Sequence, residues 1–272
     1  MANDPLRPED YTEPVCPLDM EPSIAPVNQG RILEKLDEYL ARKDYAAAER
    51  HLKYWLAEAR AGRDQRGEVL VLNEMIGHYR KTGRREEAIS AAEEALRLTD
   101  EMGYRGSLTR ATTCVNAATA YQAFSMPDRA IGLFEEAKGV YEGEKCVRPD
   151  LLGGLYNNMG LTLASLGRWD EAFSSYFKAL DQMKTQPRGN LEAAVTYLNM
   201  ANALEAREGL EKAEKQIAEW VEKACGLLEQ TGRDDGYSAF VMEKCAPTIA
   251  YYGYFAEADD LSRRAKRVYE GA

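Results

Sequence analysis

The chain has 272 residues, with 45 acidic against 35 basic side chains and a formal net charge of −10 at pH 7. That balance repels polyanions, so nucleic-acid binding would need a local basic patch. No apolar run approaches the ~18 residues of a membrane span, which argues against an integral membrane protein.

Residues 1–27 stand apart from everything after them. Six of the ten prolines fall there (Pro5, Pro8, Pro14, Pro17, Pro22 and Pro26), enough to forbid a helix and favour extended chain. Val15, Leu18, Met20, Ile24 and Val27 supply apolar anchors. We expect the segment to cap the first helix pair, with groove occupancy or an unattached leader as the alternatives. The start lacks a basic stretch followed by an apolar run, so no signal peptide is expected.

From residue 28 onward the pattern is helical. Leu33, Leu36 and Leu40 form one stripe and Leu52, Trp55 and Leu56 a second, predicting a divergent first pair over 28–62. A second pair is expected over 65–103, turning at Thr82-Gly83. The third, over 107–146, has Ser107 as N-cap and turns at Ser125-Met126-Pro127. Pro149-Asp150 opens the fourth (149–186). Asn190 is expected to cap the fifth (190–231), and Pro247 to kink or interrupt the first helix of the sixth (234–270).

The clearest stretch is YNNMGLTLASLGRWDEAFSSYFKAL, Tyr156 to Leu180. Gly167 breaks it into two helices, and Gly160 and Ala172 are placed to face each other at a close crossing. With Ala172 as register mark, the position recurs as Ala48, Ala88, Ala130, Ala213 and Ala258, 40 to 45 residues apart. Gly83, Gly167 and Gly253 precede their marks by five residues; Gly209 falls one residue later. The order of Tyr156, Met159-Gly160, Leu163, Ala172 and Tyr176 resembles a tetratricopeptide repeat. The long period is similar to the kinesin light chain class of that family. This resemblance implies an all-α fold, a right-handed superhelix of about six antiparallel helix pairs whose first helices line the concave side.

Five cysteines (Cys16, Cys114, Cys146, Cys225 and Cys245) form no CxxC pair and no even set, which points to reduced thiols and a cytoplasmic protein. His51 and His78 lack companions at metal spacings, and no phosphate loop, dinucleotide fingerprint or nucleophile elbow occurs. We expect no catalytic activity, no metal and no cofactor. Arg263, Arg264, Lys266 and Arg267 form the densest basic group. Asp259 and Asp260 stand four residues before Arg263 and Arg264, so a solvated face of ion pairs is expected, not a nucleic-acid patch.

Fourteen residues before the mark stand Asn116, Asn158 and Asn199, a ladder of amides in three consecutive repeats; Glu34, Glu74 and Lys244 take that position in the end copies. Thr112, Thr119, Gly154, Leu161, Val195 and Asn202 share the face, and Asn73 and Asn157 widen the amide set. An amide offers two donors and an acceptor, the complement of a peptide backbone. The resemblance implies the same use, since long-repeat members employ asparagines on first helices in that way. The alternative is that the amides bond to neighbouring first helices and fix the angle between repeats. Arg80 and Lys81 offer a clamp for an acidic or C-terminal carboxylate group, or are solvated turn residues. We expect an adaptor that binds a peptide or extended protein segment. A self-associating scaffold or homodimer, and a regulatory or sensor subunit, are the alternatives.

Overall fold

The computed structural model describes residues 24–143, 149–230 and 235–271. The expected cap lies almost wholly in residues 1–23, outside the described residues. Among the described residues there are twelve helices and no strand: α1 Gln29–Ala41, α2 Tyr45–Ala61, α3 Gln65–Lys81, α4 Arg85–Glu101, α5 Leu108–Ala123, α6 Pro127–Gly143, α7 Pro149–Ser165, α8 Trp169–Met183, α9 Gly189–Glu208, α10 Leu210–Glu229, α11 Gly236–Tyr251 and α12 Phe255–Glu270.

Small residues let the helices of each pair approach. Ala48, Ala88, Ala130 and Ala172 are wholly buried, with Ala213 and Ala258 nearly so. At the crossing of α7 and α8, however, Gly160 does not simply face Ala172. The Tyr176 ring lies on it, and a Cβ there would stand 2.5 Å from a ring carbon. The glycine is a seat for an aromatic ring.

The turn inside each pair needs a left-handed residue. Gly167 supplies it with φ 72° and Gly253 with φ 93°. At the same register Lys43 (φ 55°) and Ser125 (φ 58°) are forced into that conformation without being glycine, at a cost of about 1–2 kcal/mol each. Ser107 caps α5 as expected, its hydroxyl accepting from the Arg110 amide. Asn190 caps nothing: α9 begins one residue earlier, at Gly189, behind Arg188. Nor does Pro247 interrupt α11, which runs through it to Tyr251; tertiary packing holds the helix despite the missing N–H.

Each pair packs on the next, and α3, α5, α7, α9 and α11 also pack on one another in succession. The odd helices therefore form the inner, concave layer. Leading into α1, the Ala25 amide donates to the Gly62 carbonyl and the Val27 amide to Asp64 Oδ2, so residues 24–27 cross the α2–α3 turn.

The two ends of the solenoid meet. Lys43, in the α1–α2 turn, donates to both carboxylate oxygens of Glu243 on α11 at 3.0 and 3.1 Å. Its ammonium also lies 3.8 Å from the centre of the Tyr269 ring on α12. Lys81, at the end of α3, stands 4.6 Å over Phe240. Side chains separated by 200 residues thus close the array into a ring around its groove.

Substitutions at the crossing and at the ring closure test this packing. Gly160→Ala should destabilise the protein by about 1–3 kcal/mol through overpacking, whereas Tyr176→Phe, which removes a buried hydroxyl with no partner, should raise stability by about 1 kcal/mol; denaturant unfolding measures both. Glu243→Lys sets like charges together at the ring closure and should enlarge the radius of gyration in X-ray scattering. The swap Lys43→Glu with Glu243→Lys should restore the compact value.

Candidate functional site

The repeat places the amides. Position fourteen before each mark falls mid-way along an inner helix, with α5, α7 and α9 carrying Asn116, Asn158 and Asn199. They do not stand as isolated rungs. Asn116 Nδ2 donates to Asn73 Oδ1 at 3.0 Å, tying α5 to α3. Asn73 in turn donates to the Val69 carbonyl and to Thr113 Oγ1, each at 3.0 Å. Asn158 donates to Thr119 Oγ1 at 3.4 Å, tying α7 to α5. Asn157, buried, accepts from Asn199 Nδ2 at 2.9 Å and Thr196 Oγ1 at 3.1 Å, tying α9 to α7. Asn202 is exposed and accepts from the hydroxyl of Tyr252, in the α11–α12 turn, at 2.9 Å.

A polar seam therefore runs along the inner wall from α3 to α9 and on to the α11–α12 turn. Each bond engages only part of an amide. Asn116 and Asn199 each donate one hydrogen bond and keep a carbonyl oxygen and one N–H uncommitted among the described residues. Both are half-buried, open on one side to the groove.

The two basic residues diverge. Lys81 turns to the Tyr45 and Phe240 rings at the ring closure, where burial lowers its pKa. The Arg80 guanidinium makes no ion pair and no hydrogen bond among the described residues. Its surface is exposed, yet burial lowers its pKa; the guanidinium is open to water but ringed by protein. On the outside, Arg263 pairs with both Asp259 and Asp260, the solvated face read from the spacing.

Beside the seam, α3 and α5 splay to leave a cavity of about 780 Å³. Asn73 and Asn116 line it, together with Val69, Leu70, Leu108 and Glu74. Arg66 stands at its edge, its Nε donating to the Tyr104 hydroxyl at 2.9 Å. Burial, helped by the like charge of Asp37, raises the pKa of Glu74. Sequence reasoning did not single out Glu74, which lines this cavity. The signal was present, since Glu74 occupies the same register position as the three asparagines.

Chemistry that needs a reactive thiol finds no support at the described cysteines. Cys114, Cys225 and Cys245 are buried and unpaired, and burial pushes the Cys114 and Cys245 thiols up to about 12 and the Cys225 thiol to about 11.

Residues 151–222, from α7 into α10, match the model of the tetratricopeptide repeat family. The same helix-pair packing runs on either side of that stretch, so the fold is a helix-pair solenoid of the tetratricopeptide-repeat type. Among solved structures it is similar to NprR in complex with its cognate peptide NprX, with a TM-score of 0.58 at 14% identity, over 90% of this chain and 71% of that one. A second is a Podosopora anserina chain described as a kinesin light chain with nearly identical TPR-like repeats (TM-score 0.49, 18% identity, 72% of this chain and 92% of that one). A third is BtubC (BKLC) from P. vanneervenii, with a TM-score of 0.47 at 18% identity over 90% and 92% of the two chains. No curated protein matches the chain.

Proposed function

We propose that this protein is a non-catalytic adaptor whose concave groove holds an extended peptide segment of a partner protein. One observation carries the proposal: amides recur at one register of the inner wall and each of Asn116 and Asn199 keeps an uncommitted hydrogen-bonding edge. Such edges pair with backbone N–H and C=O and so hold a chain without demanding particular side chains. Asn158, Thr119, Asn157, Asn73 and Asn202 set the geometry of the wall, and Arg80, without a counter-ion, is suited to a carboxylate on the same ligand. NprR, similar in fold, is a peptide complex, which supports a peptide as occupant here. Unpaired, buried thiols fit a reducing, cytoplasmic setting.

A second function, self-association, is favoured by a different surface. Leu210, Tyr251 and Phe255 are exposed near a depression of about 620 Å³ between α10 and the α11–α12 turn, the kind of apolar rim that pairs between copies.

Replacing Asn116 or Asn199 by alanine should weaken binding of a selected peptide by about 0.5–1.5 kcal/mol per lost hydrogen bond. Because each amide also ties two helices, some stability is lost as well. Titration calorimetry at a temperature where all variants are folded separates the two effects. Unchanged affinity in both variants would remove the amides from the ligand site. Light scattering tests the second function, which predicts a dimer that Phe255→Ser dissolves.

A further inference from the structure

We propose that the cavity between α3 and α5 receives a lysine or arginine side chain of the extended segment held in the groove, with the Glu74 carboxylate as its counter-ion. This rests on the groove-binding function proposed above and names the chemistry of its ligand.

Glu74 is the one carboxylate among the residues lining the cavity, and it has no ion pair and no hydrogen bond among the described residues. The cation at the edge, Arg66, is turned to the Tyr104 hydroxyl. A half-buried carboxylate without a counter-charge is unfavourable, and the raised pKa of Glu74 is the expected consequence of that position. Val69, Leu70 and Leu108 make the walls apolar. Long basic side chains fit such a site, because an aliphatic stem lies along apolar surface while the charged head reaches a polar partner. An acidic side chain would meet Glu74 as a like charge, and an apolar one would bury it further without a partner.

Register supplies the rest. Asn73 and Asn116 are joined on the wall of the same cavity, and Glu74 stands in its repeat where Asn116, Asn158 and Asn199 stand in theirs. A segment laid along the amides is carried past the carboxylate when it continues onto α3. The net charge of −10 draws cationic segments toward the protein at long range.

The test uses the full chain and a library of short acetylated, amidated peptides in which each position is varied among lysine, arginine, norleucine and glutamate. Wild type should enrich lysine or arginine at one position by about tenfold or more over norleucine, the scale of a charge-assisted hydrogen bond. Glu74→Gln, nearly isosteric, should keep the peptides but lose that preference, and Glu74→Lys should shift it to glutamate; circular dichroism confirms that both variants are folded. Peptides enriched with no basic preference, or a preference that survives Glu74→Gln, overturn this inference and leave groove binding standing. If wild type enriches no peptide at all, the groove-binding function falls, and the cationic site with it.

Discussion

The close crossing within each helix pair is the constraint on which the rest depends. An alanine at the register mark lets the outer helix settle against the inner one, and each of the six marks is buried. A larger side chain at that point would push the pair apart and change the phase at which the next pair docks. Repeated every 40 to 45 residues, the crossing holds the inner helices in nearly constant rotation. Side chains fourteen positions upstream therefore return to one wall. The site follows from that periodicity and from no single element of the fold.

The two layers are held differently. Inner helices pack on one another and share the amide seam. Outer helices are bridged instead by charge: Arg60 to Glu94 at 2.6 Å, Arg129 to Glu93 at 2.8 Å and Arg84 to Glu49 at 2.6 Å. Lys53, with Arg84, holds the Glu49 carboxyl down to about 2. Pairs as exposed as these contribute little individually, so curvature is set from within, by packing and neutral hydrogen bonds. An interior fastened by amides is also one that salt does not loosen, which suits a wall that must present fixed donors to a ligand.

The fold was largely legible because helix pairs are local. Caps and turns such as Ser107 and Gly167 act over a few residues, and the recurrence of one alanine gave the register. Local signals failed where tertiary structure decides. Asn190 has the chemistry of a cap, yet the N-cap position falls at Arg188, two residues before it. Pro247 ought to break a helix, but α11 is held by its neighbours through the missing hydrogen bond. Gly160 announced a close approach without revealing that the Tyr176 ring fills it. At the site, the spacing set the amides at one register of α5, α7 and α9 but did not give their partners, since Asn116 to Asn73 spans 43 residues. Glu74 was visible as a departure from the ladder, and only the cavity beside it gives that departure a meaning.

Lys43 shows how one position can serve the local turn poorly and the whole molecule well. Its place in the repeat calls for a left-handed residue, and glycine takes it in three other copies as Gly83, Gly167 and Gly253. A lysine there is strained by about 1–2 kcal/mol, and the turn holds it through the Lys43 amide to the Leu40 carbonyl and the Asp44 amide to the Tyr39 carbonyl. Its side chain reaches 200 residues along the sequence, to Glu243 and the Tyr269 ring. A solenoid whose repeats touch only their neighbours has no means of holding its ends at a fixed separation. A charged side chain projecting from the first turn supplies one. The same closure brings Lys81 over Phe240, while the neighbouring Arg80 guanidinium has no ion pair among the described residues. The geometry of the ring and the charge presented to a ligand are thus set together, by the same few side chains at the meeting of the two ends.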